Sequence, residues 1–268
     1  MTNFRELVTA LRKLEIDRSR PVIAHVSMSS FGAVRGGADT LLGALTSVFP
    51  ALVMPAFTYQ TMLIPGDGPP HNALVYGSGK DANRMAEFFT PEMPADRLMG
   101  VVAEALRNHP RAIRSSHPIL SFAGINAEAV IRSQTLAEPL DPIRELMEAR
   151  GWVLLLGVDH TVNTSIHYAE RLAGRKQFVR WALTTEGVQE CPGFPGCSNG
   201  FQSLAPHLEK ITQRVSVGPA IIQAIPLSQM VEITRALIVA NPMALLCDRS
   251  DCERCQAVQD DVMKIDEI

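Results

Sequence analysis

The stretch Gly151–Glu170, GWVLLLGVDHTVNTSIHYAE, decides the fold of this chain. Its run Trp152–Leu156 is apolar on both faces, as expected of a central strand that is covered on both sides. Gly157 ends this strand, and Asn163 and Thr164 are favourable caps for a helix that follows. A strand leading into a helix N-terminus places free backbone N–H groups at the strand end, where ligands bind in open α/β sheets.

The first turns of that helix carry a candidate acid–base pair. His167 and Glu170 are three residues apart, so they share a helix face and the carboxylate can orient the imidazole. A solvated surface pair has the same spacing, but the position just past a buried strand favours catalysis. We expect His167 to be a general base and Thr164 a candidate oxyanion donor. His25, at the end of an earlier strand, either faces the reacting group or is a core histidine bonded to backbone.

Composition excludes several classes of protein. The 268 residues are 46% hydrophobic and 20% charged, as is usual for a globular enzyme with a substantial core. The net charge of -3 lacks the basic surplus of a nucleic-acid-binding protein. No apolar stretch is long enough to span a membrane, and the N-terminus lacks a signal-peptide core. We expect a cytoplasmic enzyme with a small-molecule substrate and without nucleic-acid or membrane partners; monomer and homodimer both stay open.

Apolar runs and helical periods alternate along the chain, which is the pattern of an α/β fold. Strands are predicted at 21–26, 51–55, 152–156, 178–183 and 244–246. Helices are predicted at 2–15, 38–45, 98–108, 127–133, 142–149, 203–213 and 226–240, besides the one after residue 163. We interpret 1–268 as a single domain with a cysteine-bearing C-terminal part over 186–268.

The stretch 58–96 has a different texture, rich in Gly, Pro, Asn and Asp and without clear periodicity. It is predicted to be a long loop insertion that lines the substrate cleft. A loop with acids beside an active site suits a polyamine substrate, although a solvated loop explains the same residues. The candidate substrate-binding residues are Asp67, Asn72 and Tyr76 from this loop, with Asn163 and Glu190 from elsewhere.

Five cysteines in a chain expected to be cytoplasmic are not disulfides by default. Cys191 and Cys197 form a C-x5-C pair, and CDRSDCERC contains Cys247, Cys252 and Cys255. A C-x5-C pair with a distant C-x2-C pair, in loops rich in Gly and Pro, fits a structural zinc site of four thiolates. The expected ligands are Cys191, Cys197, Cys252 and Cys255, with Cys247 to spare. Reduced free thiols are the alternative.

Four sequence blocks, the last of them within the opening stretch, occur in a definite order: HVSMSSFG at 25–32, LVMPAFT at 52–58, RSSHP at 114–118 and LLLGV through NTSIHYAE at 154–170. Together they resemble the aminoglycoside 3-N-acetyltransferase family, antibiotic acetyltransferases that use acetyl-coenzyme A. The blocks cover most of the region from residue 20 to residue 175, so the family resemblance is specific. The resemblance says less about which amine receives the acetyl group.

The resemblance implies a central mixed sheet flanked by helices, and transfer of an acetyl group from acetyl-coenzyme A to the 3-amino group of an aminoglycoside. It also implies which residues line the coenzyme channel. These are Ser27, Ser29, Ser30, Phe31, Gly32, Met54, Pro55, Arg114, Ser115, His117 and Ser121. Arg35 is added as a candidate phosphate contact.

One segment departs from the family pattern. The family carries a polar segment ending in Ser-Pro, with a His or Glu a few residues earlier that assists the active site. This chain has Asp141–Pro142 there, with Glu138 as the nearest acid and no His. Glu138 and Glu170 therefore both stand as candidate partners of His167.

Direct attack by the amine in a ternary complex is expected, because no cysteine lies inside the four blocks and no G-x-S-x-G motif is present. Three alternatives stay open. One is an enzyme of the same fold acting on a different amine, and another is a coenzyme A binding protein without activity. The third is a zinc hydrolase. Four thiolate ligands would leave no open position on the zinc for water.

Overall fold

The computed structural model describes residues 1–265, and side chains as far as residue 263. The strands are β1 (Val22–Val26), β2 (Leu52–Pro55), β3 (Met62–Leu63), β4 (Ala112–Arg114), β5 (Phe122–Ile125), β6 (Trp152–Leu156), β7 (Phe178–Thr184), β8 (Gly187–Phe194), β9 (Gln213–Val217) and β10 (Ala220–Pro226). The helices are α1 (Phe4–Lys13), α2 (Gly37–Val48), α3 (Lys80–Arg84), α4 (Val101–Arg107), α5 (Glu128–Arg132), α6 (Asp141–Glu148), α7 (Ser165–Leu172), α8 (Ala205–Leu208), α9 (Leu227–Ala240) and α10 (Glu253–Ile265). None of these helices is both long and apolar enough to span a bilayer.

The main sheet has seven strands in the order β4-β5-β2-β1-β6-β10-β9. The central strand β1 runs parallel to both of its neighbours, β2 and β6. The outer pairs, β2 with β5, β4 with β5, β6 with β10 and β9 with β10, are antiparallel. This arrangement confirms the expected mixed sheet. A second sheet has three strands in the order β3-β7-β8.

The central strands are buried on both faces, which explains their continuous apolar sequence. Val153 and Leu155 of β6 pack into one core cluster, together with residues of α6, α7 and α9. Leu154 and Leu156 alternate with them and pack into the other cluster, with residues of α1, α2 and α4. All four side chains are fully buried. Each burial stabilises the fold by about 1.5–3 kcal/mol, so β6 is anchored from both faces of the sheet.

The carboxyl ends of β1 and β6 are held together by the turns that follow them. The backbone N–H of Ser27 donates to the carbonyl of Leu156 at 3.0 Å. The Ser30 hydroxyl donates to the carbonyl of Gly157 at 2.6 Å. Gly157 has φ +67°, and a Cβ on it would lie 2.4 Å from the Cβ of Ser30. Only glycine fits where the two turns meet.

The sequence prediction was wrong in three places near the C-terminus. Residues 213–226 form the β9–β10 hairpin, which was not predicted because the short apolar runs on either side of Gly218 have no helical or long strand period. The helix predicted over 203–213 is a series of short helical turns around α8. The strand predicted at 244–246 is a turn. The end of the predicted C-terminal part, 266–268, lies outside the described residues.

We predict that Gly157→Ala destabilises the protein by about 2–4 kcal/mol, because the new methyl group meets Ser30 at a backbone conformation that L-residues avoid. Gly174→Ala is the matched control, since Gly174 also has positive φ, +78°, but has nothing within 4 Å of an added Cβ. The control should lose about 1 kcal/mol. Urea unfolding of both variants measures the difference, and equal losses would contradict the close contact at Ser30.

Candidate active site

A cleft of about 720 Å³ opens at the carboxyl ends of β1, β2 and β6. One wall comes from the strand ends and the turns after them, including His25, Ser27, Ser29, Met54, Pro55 and Thr161–Thr164. The opposite wall comes from Phe57, Tyr59, Leu98–Val101, the segment Phe194–Asn199 and Arg254. His167, on the first turn of α7, lines the cleft between these parts of the chain.

The imidazole of His167 is the end of a buried chain of polar contacts. Its Nδ1 lies 2.7 Å from Oε2 of Glu170. The other oxygen of Glu170 accepts from Arg175 at 2.7 Å. The remaining guanidinium donors of Arg175 reach the carbonyls of Pro242 at 2.8 Å and Ala244 at 2.6 Å. The side chains of Glu170 and Arg175 are 2% and 3% exposed, so water does not compete for these bonds.

This arrangement fixes which nitrogen of His167 can react. An ionised Glu170 only accepts hydrogen bonds, so Nδ1 carries the hydrogen and Nε2 keeps its lone pair. The ring also packs against Phe201, with the ring centres 4.8 Å apart. His167 is therefore oriented by a carboxylate and an aromatic ring, and its Nε2 is free to take a proton. That is the geometry of a general base.

Glu138 does not contact His167. Its carboxylate forms an ion pair with Arg171, and Arg171 also lies 3.5 Å from Asp141. The prediction that Glu138 could orient His167 is therefore wrong. Glu170, the other acid that the sequence left open, orients the imidazole.

His25 lies at the end of β1 and is buried where it lines the cleft. Burial lowers the pKa of His25 to about 3, so the ring is neutral at physiological pH. Its Nε2 is buried and has no hydrogen-bond partner among the described residues. Because His25 also lines the cleft, its Nε2 is placed to hydrogen-bond with a group that enters there.

The start of α7 belongs to the same wall as the strand ends. The side-chain oxygen of Asn163 accepts from the N–H of Ser165, the first residue of α7, at 3.2 Å, whereas the side chain of Thr164 makes no cap bond. The Nδ2 atom of Asn163 faces the Sδ of Met230 at 3.2 Å. Thr164 lines the cleft beside Asn163, and both side chains are buried.

Only part of the predicted coenzyme channel lies in the cleft. Ser27, Ser29, Met54 and Pro55 line it, and the hydroxyl oxygens of the two serines are 3.0 Å apart. Four residues of the next turn do not: the hydroxyl of Ser30 bonds to Gly157, Phe31 is in the core, Gly32 ends a 3₁₀ turn with φ +64°, and Arg35 is exposed. A turn exposes only some of its side chains to one side, so these four residues lie outside the cleft, and their contact with the coenzyme stays a prediction.

The RSSHP segment contributes packing and hydrogen bonds in place of cleft contacts. The guanidinium of Arg114 donates to Ser121 at 3.1 Å and to the carbonyl of Ala56 at 2.8 Å. Ser121 also donates to Ala56 at 2.7 Å, and the Ser115 hydroxyl accepts from the N–H of Phe122 at 2.8 Å. None of these side chains lines the cleft. Their hydrogen bonds connect β4, β5 and the end of β2.

His117 belongs to the same structural segment. Its Nδ1 accepts from the N–H groups of Ile119 and Leu120 at 3.1 and 3.0 Å, and it too is absent from the cleft walls. The sequence could not separate these roles, because the same polar side chains serve a ligand or the backbone equally well.

Most of the residues predicted to bind the substrate lie outside the cleft. The side-chain oxygen of Asn72 accepts from Val179 N–H at 2.8 Å, and its amide donates to the hydroxyl of Tyr76 at 2.8 Å, so the pair fastens the loop to β7. Asp67 and Glu190 are exposed away from the cleft. Asn163 does line the cleft. Of the stretch 58–96, Tyr59 is the residue found in the cleft wall.

Sequence reasoning missed Tyr59, Arg175 and Arg254. Tyr59 follows β2 directly, so its position past a buried strand was a usable signal. Arg175 lies five residues after Glu170, beyond the end of α7, where helical spacing no longer applies. Arg254 reaches the cleft only through the packing of α10, which a sequence pattern does not reveal.

Four cysteine sulfurs gather at one place beside the cleft. The Sγ atoms of Cys197, Cys247, Cys252 and Cys255 all lie within 4.8 Å of one another. Hydrogen bonding from Cys255 is the main cause that lowers the pKa of Cys197 to about 5. Cys191 is not in this cluster: it is buried in β8, and the prediction that it is a ligand while Cys247 is spare is wrong. The C-x5-C spacing was misleading, since Cys191 lies within a strand.

Comparison with known proteins places the chain in a family. Residues 23–238 match the sequence profile of a family described as "Aminoglycoside 3-N-acetyltransferase". The chain belongs to this family. The match includes β1 to β10 and all but the end of α9, so it covers the cleft except for the wall formed by α10.

Relatives within the aminoglycoside 3-N-acetyltransferase family include aminoglycoside N(3)-acetyltransferase VII of Streptomyces paromomycinus, 34% identical over 185 residues. That match covers 65% of this chain and 62% of the relative, so the chain spans less than two thirds of that protein's length. Aminoglycoside N(3)-acetyltransferase III of a Salmonella species is 27% identical over 232 residues, covering 75% of this chain and 78% of the relative.

Solved structures share the fold. The apoenzyme of aminoglycoside acetyltransferase AAC(3)-IVa superimposes with a TM-score of 0.78 at 24% identity, covering 97% of both chains. The YokD protein from Bacillus subtilis gives 0.78 at 24% identity, over 90% of this chain and 100% of its own. AAC-IIIb in a binary complex with CoASH gives 0.70 at 21% identity, over 88% of this chain and 96% of its own.

We predict that His117 makes stability depend on pH. Burial lowers the pKa of His117 from 6.5 to about 4, so the unfolded chain binds a proton between these values that the folded chain does not. Stability is therefore lost as the pH falls from 7 to 5. His117→Asn keeps an acceptor for the two N–H groups without titrating. Between pH 7 and pH 5, the free energy of unfolding of this variant should fall by about 2 kcal/mol less than that of the wild type. Urea unfolding at both pH values tests this, and equal losses would contradict it.

Proposed function

We propose that this protein transfers the acetyl group of acetyl-coenzyme A to an amine, with His167 as the general base and the 3-amino group of an aminoglycoside as the family's acceptor. The observation that carries the proposal is the buried His167–Glu170–Arg175 chain opening on the cleft. Family membership supports the reaction class. The complex of AAC-IIIb with CoASH supports the coenzyme.

His167 begins the reaction by accepting a proton from the ammonium group of the acceptor at its Nε2 atom. The freed amine attacks the thioester carbonyl carbon, and the new C–N bond forms while one electron pair of the C=O bond moves to oxygen. When this pair returns, the C–S bond breaks with its electron pair leaving on sulfur, and the imidazolium gives its proton to the sulfur. The nitrogen loses its second proton to water, which leaves a neutral amide and a free thiol. Glu170 stabilises the positive imidazolium, and Arg175 holds Glu170 in place.

The developing oxyanion needs donors, and two candidates line the cleft near the start of α7. The neutral ring of His25 can donate through whichever nitrogen carries hydrogen, and Thr164 offers a hydroxyl. Direct transfer fits the site better than a covalent acyl-enzyme. Cys197 does lie in the cleft wall, but its sulfur is part of the four-cysteine cluster.

A different amine is a second candidate acceptor for the same reaction. Among the described residues, no Asp or Glu side chain lines the cleft. Aminoglycosides carry several ammonium groups, and a cleft for them would be expected to present carboxylates. This observation favours an acceptor with fewer charges.

The four-cysteine cluster fits a structural zinc ion, and we include this in the proposal. Zinc with four thiolates is tetrahedral, with Zn–S distances of about 2.3 Å and hence sulfurs roughly 3.8 Å apart. The Sγ atoms of Cys197 and Cys247 are 3.9 Å apart, and those of Cys255 and Cys247 are 3.5 Å apart. Four thiolates leave no open position for water, so the hydrolase alternative is not favoured. The cytoplasm, where such thiols stay reduced, suits both zinc and coenzyme.

We predict that His167→Ala lowers the rate of acetyl transfer at saturating substrates by about 10²-fold or more, as expected for loss of a general base. Its KM for acetyl-coenzyme A should stay close to that of the wild type. Release of free thiol in the presence of an aminoglycoside measures both. Glu138→Gln, which removes a carboxylate paired with Arg171 at a distance from His167, is the control and should retain the rate. A similar loss in the two variants would remove His167 from its role.

We predict that the purified protein holds about one zinc per chain and that Cys247→Ser releases it. Cys191→Ser should keep the metal, because Cys191 lies outside the cluster. These outcomes are the opposite of those expected from the cysteine spacing alone, which made Cys191 a ligand and left Cys247 to spare. Elemental analysis after gel filtration counts the zinc, and retention in Cys247→Ser with loss in Cys191→Ser would contradict the cluster geometry.

A further inference from the structure

One short segment, residues 241–247 after α9, joins Arg175 to the cysteine cluster. Its carbonyls of Pro242 and Ala244 accept from the guanidinium of Arg175 at 2.8 and 2.6 Å. Cys247 is the last residue of the segment, and its sulfur belongs to the cluster. Whatever fixes the position of Cys247 therefore also fixes the two carbonyls that hold Arg175.

A second segment, residues 197–201, joins the other support of His167 to the same cluster. It begins at Cys197, whose sulfur is in the cluster. It ends at Phe201, whose ring centre lies 4.8 Å from that of His167. The sulfur of Cys197 also accepts from the N–H of Asn199 at 3.4 Å, which bends the segment around this sulfur. The position of the Phe201 ring therefore depends on that of Cys197.

The two segments are in contact at Gly200. A Cβ on Gly200 would lie 2.4 Å from the carbonyl oxygen of Leu245 and 2.5 Å from that of Leu246. The φ of Gly200 is -87°, which other residues also adopt, so it is the close contact that requires glycine here. Because the two backbones touch, neither segment can move toward the other without displacing it.

A zinc ion held by the four cysteines would fix both segments at once. Cys247 comes from the first segment and Cys197 from the second, while Cys252 and Cys255 lie at the start of α10. Thiols form only weak hydrogen bonds with one another, whereas zinc–thiolate bonds contribute directly to the stability of a fold. The cluster without its metal therefore joins the two segments much less firmly.

We propose that zinc in the cysteine cluster positions the imidazole of His167, so that the metal sets the rate of acetyl transfer although it takes no part in the reaction. One segment holds the imidazole through Arg175 and Glu170, and the other holds it through Phe201. The inference rests on the proposed function, in which His167 is the base and the cluster holds zinc. A displacement of about 1 Å at a reacting group lowers a rate by about 10²-fold.

The first test removes the metal from the full chain with a chelator under reducing conditions. The kcat for acetylation of gentamicin should fall by about 10²-fold, because the base is displaced, while the KM for acetyl-coenzyme A changes by less than about twofold. Added zinc should restore kcat. Release of free thiol measures the rate, and elemental analysis measures the zinc.

The second readout follows the hydrogen bond itself and needs no activity. The Nδ1 proton of His167 lies in a short, buried bond to Glu170, so its NMR signal is expected far downfield and protected from exchange with water. Its absence from the spectrum of His167→Ala assigns it. Removal of zinc should broaden or abolish this signal, and added zinc should restore it.

Two variants disturb the connection and leave the cysteines in place. Arg175→Lys keeps a positive charge beside Glu170 but lacks the planar fork that also reaches the two carbonyls. Gly200→Ala pushes the two segments apart. Both should keep zinc and lose about tenfold in kcat. Removing zinc from Arg175→Lys should then cost less than removing it from the wild type, because effects within one connected structure are not additive.

Gly66→Ala is the matched control for Gly200→Ala. An added Cβ on Gly66 has nothing within 4 Å, and Gly66 lies outside the cleft wall. This variant should have the zinc content, the kcat and the proton signal of the wild type. If Gly200→Ala loses its zinc, Arg175→Lys alone tests the connection.

Four results would overturn the inference. One is a wild type that neither holds nor takes up zinc, and another is a zinc-loaded wild type without the His167 signal. A third is a zinc-free protein with unchanged kcat and signal, even if its KM rises, because the cluster would then shape only the cleft wall. The fourth is an equal loss on zinc removal in Arg175→Lys and the wild type.

Two further outcomes are decided by the same measurements. If the zinc-free protein unfolds, as circular dichroism would show, unchanged kcat and proton signal in zinc-loaded Arg175→Lys overturn the inference, and their loss supports it. If the wild type transfers no acetyl group, the proposed function fails, and the response of the His167 signal to zinc alone decides whether the metal positions the imidazole.

Discussion

The sharing of Glu170 between His167 and Arg175 is the constraint on which the candidate site depends. A carboxylate this deeply buried is tolerated only when both oxygens are satisfied, because an unpaired buried charge costs several kcal/mol. One oxygen orients the imidazole and the other binds Arg175, which in turn holds two carbonyls of the turn after α9. The position of the His167 imidazole is thus tied to α7 and to the C-terminal part of the chain at once.

The two walls of the cleft have different origins. The parallel strands β1, β2 and β6 end at one edge and supply the wall where sequence blocks of the family are found. The other wall includes Phe57, Tyr59 and Leu98–Val101, besides the Phe194–Asn199 segment and Arg254 of α10, which meet at the cysteine cluster. The cleft therefore depends on contacts between segments that lie far apart in the sequence.

How far the sequence predicted this arrangement depended on the range of the interactions. The buried strands β1, β2 and β6, and the cap of α7 by Asn163, were predicted because local apolar runs and capping chemistry specify them. The pairing of His167 with one of two acids, and the choice of Cys247 over Cys191, depend on contacts between distant segments. Arg114 and His117 bond to the backbone outside the cleft, and the sequence could not show this because such a side chain has the same pattern as one that binds a ligand.

The sheet order has a consequence for how the chain reaches this structure. The central strand β1 pairs with β6, so Val22 meets Trp152, and β6 in turn pairs with β10, so that Trp152 meets Pro226. Such long-range pairings raise the contact order, and chains of high contact order fold slowly because the intervening loops must close first. During synthesis β1 and β2 are made before β6, so the edge of β1 that pairs with β6 stays unpaired while the intervening residues are added. The strands that make the cleft precise are also the ones most exposed to misassembly before the chain is complete.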